Sequence, residues 1–251
     1  MSTQPLPLRR SRRLATIRPI SDWISIGYSE DDAQTMNHLQ QEMKYYCDNE
    51  EDMIVLQIGD DPPNSRYQHN DWMIPHWKAF FKAIQRQRTL VDTFYIRHIH
   101  LPVSVLDMMF PALQSMNLEK LGLKDTDLGS DGLQRLISFL ERDSSLNDLY
   151  IDFNGDNIDD VSVASSLSDV LKEHSTLNKL LLYNGGLNNA TILRIILEGC
   201  TRLHHVELND KLGSEAVGVL ADFICGNNPT EYLFLQHNKI TIVIQFYWQQ
   251  L

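Results

Sequence analysis

Leu177-Asn178-Lys179-Leu180-Leu181-Leu182-Tyr183 decides the fold, because its apolar residues at places 1, 4 and 6 return along the chain. Upstream they recur as Leu118, Leu121, Leu123 and as Leu146, Leu149, Ile151. Downstream come Leu203, Val206, Leu208, then Leu233 and Leu235 with Thr230 in the first place. The first places are 28, 31, 26 and 27 residues apart. Leu90, Phe94, Ile96 form a further set, one residue out of phase and 28 residues before Leu118. Met53, Leu56, Ile58 give an earlier strand at the wider spacing of 37. Places 4 and 6 are apolar at period 2, so each frame predicts a short strand.

Between frames the period becomes helical. Leu133, Leu136, Ile137 and Leu140 share one face, as do Val163, Leu167, Val170 and Leu171. Ile192, Ile195, Ile196 and then Val217, Leu220, Phe223 continue the series. Upstream, Val103, Leu106, Phe110 behind Pro102, and Trp77, Phe80, Phe81, Ile84, predict two more helices. Ser130, Asp159, Asn188 and Ser214 precede these faces as expected N-caps. A strand and a helix in about 28 residues cannot bury their own apolar faces, so copies must stack.

Over residues 72–240 the pattern resembles the ribonuclease-inhibitor-like class of leucine-rich repeats. The resemblance implies an α/β horseshoe, with parallel strands on the concave side and helices on the convex side. It also implies Asn at place 9, its side chain bonding the backbone of the turn. Asn154 and Asn238 stand there and Thr126 is a partial substitute, but Gly185 and Lys211 depart from the pattern. The next apolar residue comes two places late at Ile158 and one early at Leu212, which predicts irregular loops.

The ends read differently. Residues 1–21 hold Arg9, Arg10, Arg12, Arg13 and Arg18 without an acid and are expected to be a solvated, disordered tail. The sharper readings are a nuclear-import patch or an organelle transit peptide. Residues 22–71 are acidic, with a short helix expected around Met36, Leu39 and Met43, and suit an N-terminal cap. An F-box reading fails there, because the segment is too short and too acidic. Residues 241–251 replace the expected Gly and helix with Thr241-Ile242-Val243-Ile244-Gln245-Phe246-Tyr247-Trp248. That end reads as truncated, and as a β-prone surface for self-association.

The formal net charge of −11 argues against nucleic acid and anionic membrane as partners. No apolar run is long enough to span a bilayer. Cys47, Cys200 and Cys225 make neither a disulfide framework nor a zinc pattern and suit a reducing compartment, so a cytoplasmic location is expected. Without a secretory route the sequon at Asn189-Ala190-Thr191 carries little meaning.

No catalytic or cofactor motif stands out, so an enzyme is not expected. His98 with His100, and His204 with His205, lack the third ligand a metal needs and read as surface histidines. Asp152-Phe153-Asn154-Gly155-Asp156-Asn157 resembles half a calcium loop, but place 6 is not Gly and Val163 stands where Glu is needed.

Places 3, 5 and 7 of each frame should point away from the leucine core. Place 5 holds Gly122, Tyr150, Leu181, Glu207 and Phe234, with Tyr95 upstream. Place 7 holds Lys124, Asp152, Tyr183, Asn209 and Gln236, with Arg97 upstream. Aromatic and charged groups on an outward stripe suit an interface with a protein partner. The candidate contact residues are Tyr95, Arg97, Tyr150, Asp152, Tyr183, Glu207 and Phe234. Cross-strand packing is the competing explanation for the rings. The expected function is a non-enzymatic interaction module. Two alternatives are a GTPase regulator, since one branch of this repeat class activates a nuclear-transport GTPase, and a nonfunctional fragment of a larger repeat protein.

Overall fold

Seven parallel strands, taken in chain order, form one sheet in a computed structural model. The structure describes residues 16–58, 71–86, 91–153, 158, 160–226, 228–236 and 238, and the backbone of 244–245. The strands are β1 (Met53–Gln57), β2 (Thr93–Arg97), β3 (Lys120–Lys124), β4 (Asp148–Asp152), β5 (Lys179–Tyr183), β6 (His205–Asn209) and β7 (Tyr232–Phe234). A two-residue β8 (Ile244–Gln245) pairs antiparallel with β7. The rest of 241–251, where the self-associating end was expected, lies outside the described residues.

The register follows the leucine frame. Leu121, Leu149, Leu180, Val206 and Leu233 stand side by side across β3–β7, and Leu123, Ile151, Leu182 and Leu208 form the next row. All of them are buried. Burying each such side chain is worth about 1.5–3 kcal/mol. Two upstream readings need correction. Phe94 pairs with Leu121, so the first place of that frame belongs to buried Val91 and the copy is in phase. In β1 the inward residues are Ile54 and Leu56, whereas Met53 is exposed.

Helices alternate with the strands: α2 (Glu30–Asp48), α3 (Ile74–Ile84), α4 (Val103–Leu113), α5 (Gly129–Leu140), α6 (Val161–Glu173), α7 (Ala190–Gly199) and α8 (Ala216–Cys225). Their buried faces join the inward strand residues in one core. The faces of α3, α5 and α6 are those read from the sequence. In α8, Val219 is buried and Val217 is exposed. Two expected caps shift by one residue, to Asp160 and Asn189, each accepting backbone N–H bonds. No side chain caps α5 or α8.

Polar side chains tie each unit to the one before it. Ser145 Oγ donates to Leu118 O (3.0 Å), Thr176 Oγ1 to Leu146 O (2.9 Å) and Thr230 Oγ1 to Leu203 O (2.8 Å). The Asn238 amide accepts from Asp210 N (3.0 Å) and Leu212 N (2.9 Å) and donates to Leu208 O (2.7 Å). Where Lys211 replaces the expected Asn, buried Asp210 one place earlier accepts from Leu187 N of the preceding turn. The displaced residues Ile158 and Leu212 still reach the core. Lys211, and at place 8 His98, Asp125 and Asn184, adopt positive φ, which turns the chain out of β6, β2, β3 and β5.

Residues 16–21, assigned to the tail from sequence, belong to the fold. The short α1 (Ile20–Ser25) buries Trp23. The Arg18 guanidinium lies 4.9 Å from the Trp23 ring and 4.8 Å from the Trp72 ring. Its backbone donates to Gln40 Oε1 (2.8 Å) and accepts from Asn37 Nδ2 (2.9 Å). The expected short helix is the 19-residue α2, which buries Met36, Leu39 and Met43.

Candidate functional site

The alternation that sends places 4 and 6 inward leaves places 3, 5 and 7 on the opposite face of the sheet. Parallel pairing without slippage aligns them in rows: Val55, Tyr95, Gly122, Tyr150, Leu181, Glu207 and Phe234 form one row. Gln57, Arg97, Lys124, Asp152, Tyr183 and Asn209 form the row beside it. Most of these residues are half-buried. Neighbouring rings shield one another and still leave an edge in water.

Tyr150 and Tyr183 meet edge to face at 5.1 Å between centroids. Tyr183 Oη donates to Glu207 Oε1, which fixes the ring. Burial, and after it the Glu207 carboxylate, raise the Tyr183 phenol well above its ordinary pKa. Burial followed by Asp152 raises Tyr150 in the same way, while Arg97 opposes the rise. Both phenols therefore stay protonated and neutral at physiological pH; the Tyr183 hydroxyl gives its proton to Glu207 and can only accept from a further group.

At the β6–β7 end, Phe234 stacks on His205 at 5.0 Å and on Tyr232 at 6.3 Å. His205 Nε2 lies 3.9 Å from Glu207 Oε2. Burial and the Lys179 charge hold His205 below its ordinary pKa, so its ring is neutral at pH 7. Tyr232 was not singled out from the sequence, and His205 was weighed there only as a metal ligand and read as a surface histidine. Their signal was there, since both occupy place 3 and share the face of places 5 and 7.

At the β2–β3 end, Arg97 lies over the Tyr95 ring at 5.3 Å. Gly122 is what admits that ring. A Cβ at Gly122 would stand 1.9 Å from Tyr95 Cδ1 and 2.1 Å from Cε1. Only a residue without a side chain leaves β3 flat enough for its neighbour's ring to cross it.

Asp152 departs from the expected role. It is buried, and Oδ1 accepts from Asn184 Nδ2 (2.8 Å). The positive φ of Asn184 folds that amide back over β4, so Asp152 serves the turn and offers little to a partner. His98 departs as well: it is buried with Nδ1 3.1 Å from Asp125 Oδ2, while His100 Nδ1 is 2.7 Å from Asp127 Oδ2. These are links between adjacent turns.

Among the described residues, no group of three or more His, Cys, Asp and Glu is placed to hold a metal ion. Residues 154–157 and 159 of the calcium-like loop lie outside the described residues. Burial pushes the Cys200 thiol up to about 12, and burial with Asp48 does the same for Cys47, so neither is a thiolate at pH 7. No helix among the described residues is long and apolar enough to cross a membrane.

No protein-family model matches this chain, and no curated protein matches it either. Among the described residues the architecture is α/β and repeat-like: one sheet in which seven parallel strands alternate with helices, with the antiparallel β8 at its end.

Proposed function

We propose that the chain is a leucine-rich repeat protein of the ribonuclease-inhibitor-like class that works as a non-enzymatic interaction module. The strand face is its concave surface, and a protein partner docks there. One observation carries this reading: Tyr95, Tyr150, Tyr183 and Phe234 stand at register-matched outward places on four strands, each half-buried with part of its ring in water. Rings already fixed by neighbours, as Tyr183 is by Glu207 and Tyr150, lose little entropy when a partner covers them. Fixed aromatic anchors with a polar handle are the residues that dominate interface energetics.

The test uses a photo-crosslinking phenylalanine analogue at Tyr183, with the same analogue at exposed Lys172 on α6 as the control. Crosslinks from the native cell are expected at Tyr183 and not at Lys172. Once the crosslinked partner is in hand, Tyr150→Ala and Tyr183→Ala are each expected to weaken its binding by about 2 kcal/mol, roughly 30-fold. Both variants should keep their thermal stability within about 1 kcal/mol, since these rings lie outside the leucine core. Crosslinking from Lys172 with none from Tyr183 would move the site to the helices.

A further inference from the structure

Across β1, β2 and β3 the outward places hold Met53, Val55, Gln57, Thr93, Tyr95, Arg97, Lys120, Gly122 and Lys124. Three are cations and none is an acid, in a chain whose formal net charge is −11. The first outward carboxylates are Asp148 and Asp152 on β4. Lys124 has Asp152 beside it in register. Arg97 has no such neighbour. Its register partners are Gln57 on β1 and the cation Lys124 on β3.

Arg97 is half-buried and lies over the Tyr95 ring. Its Nη1 reaches Gln57 Oε1 at 3.5 Å, the outer limit of a hydrogen bond. Its Nε is out of solvent with no hydrogen-bond partner, and no carboxylate pairs with the guanidinium among the described residues. Partly desolvated guanidinium groups are ordinarily matched by a carboxylate or phosphate that accepts two parallel N–H bonds. Stacking on Tyr95 holds the plane of this one but neutralises nothing.

We propose that Arg97 is the anion-recognition point of the strand face, and that the docking segment of the protein partner carries an Asp or Glu side chain seated on it, with an apolar ring against Tyr150 and Tyr183. The proposal rests on the strand face being the binding surface. A single carboxylate is favoured over a nucleic-acid backbone because the strongly acidic chain repels polyanions. Lys120 and Lys124 have Asp148 and Asp152 beside them in register, and Arg97 alone of the three lacks an acid. Arg97 and Tyr183 occupy place 7 three strands apart, about 14 Å at ordinary strand spacing. An extended segment spans that distance in about four residues.

The experiment uses the full chain, labelled at exposed Cys225, and an array of ten-residue peptides. Each peptide carries one Trp and one Glu at separations of one to five residues. Matched sets replace Glu by Gln, Lys or phosphoserine. The expected result is at least tenfold tighter retention of Glu peptides than Gln peptides, greatest near a four-residue separation and lost at high salt. Arg97→Gln should erase the Glu preference, and Arg97→Lys should restore part of it, with thermal melts confirming that both variants are folded. Tyr183→Ala should weaken all sets alike.

A Glu preference that survives Arg97→Gln, while Tyr183→Ala weakens every set, would overturn the anion point and leave the strand face standing as the binding surface. Phosphoserine peptides retained tenfold above Glu peptides through Arg97 would overturn the carboxylate as the occupant. Retention indifferent to both residues, or none at all, would overturn the anion point and the strand-face reading together.

Discussion

Asp143 shows how much one side chain can contribute in a stack of short units. Its carboxylate accepts from Leu146 N (2.7 Å) and Ser145 N (3.0 Å), which ends the turn before β4. The next unit approaches through His174, whose Nδ1 accepts from Leu177 N (3.2 Å) and whose Nε2 stands 3.5 Å from Asp143 Oδ2. Burial pushes the Asp143 carboxyl up, but His174 and the turn's N–H groups outweigh it and hold the carboxyl below its ordinary value. A carboxyl depressed in the folded state adds stability above its unfolded pKa, and that stability is lost as pH falls through the folded value. Asp143→Asn is therefore expected to be less stable than the native chain at about pH 7, and by a smaller margin at about pH 3. Denaturant melts at the two pH values measure it, and a gap of constant size would show that the charge plays no part. The partners of Asp143 were not legible in the sequence, because they depend on the geometry of two turns. The outward rings were legible, since register follows from the leucine frame alone. Arg97 was legible at place 7, but its neighbour Gln57 was not, because the frame Met53, Leu56, Ile58 puts Gln57 at place 5.

At the scale of elements, strands and helices were legible to different degrees for a physical reason. Each strand is fixed by a two-residue alternation confirmed in its neighbours, so one in-register frame sets the next. The helices are fixed by a broader apolar stripe that tolerates a shift of one residue, which is where the caps and the inward face of α8 moved. Close packing between helices leaves a finer trace, in single glycines. A Cβ at Gly199, at the end of α7, would stand 2.6 Å from Ser168 O and 2.7 Å from Ser168 Cα of α6. Both are backbone atoms and cannot rotate aside. Gly199→Ala is expected to force the two helices apart at a cost of about 1–3 kcal/mol. Gly213→Ala, where a Cβ meets nothing within 4 Å, should stay within about 0.5 kcal/mol. Circular-dichroism melts of the two variants make the comparison, and equal shifts would show that α6 and α7 do not depend on that close approach.

At the scale of the whole molecule, the decisive feature is that among the described residues every strand pairs only with its neighbours in sequence, from β1 through β8. Helices follow the same rule, each packing on the helix before and after it. Among the described residues no long-range crossover stitches distant units together, so stability should be a sum of unit terms and nearest-neighbour terms. A lesion in one unit is then felt locally before it is felt everywhere. Leu180 is fully buried in β5, and Leu180→Ala is expected to cost about 2–5 kcal/mol through lost contacts and the cavity left behind. Native-state hydrogen exchange reads how that cost spreads. The amides of β5 should lose most protection, those of β4 and β6 less, and those of β1 and β2 least. The polar links between turns, such as Thr176 to Leu146, are what carry the loss from one unit into the next. An equal loss of protection from β1 to β7 would instead mean that the units unfold as one body, with coupling stronger than neighbour contacts alone provide.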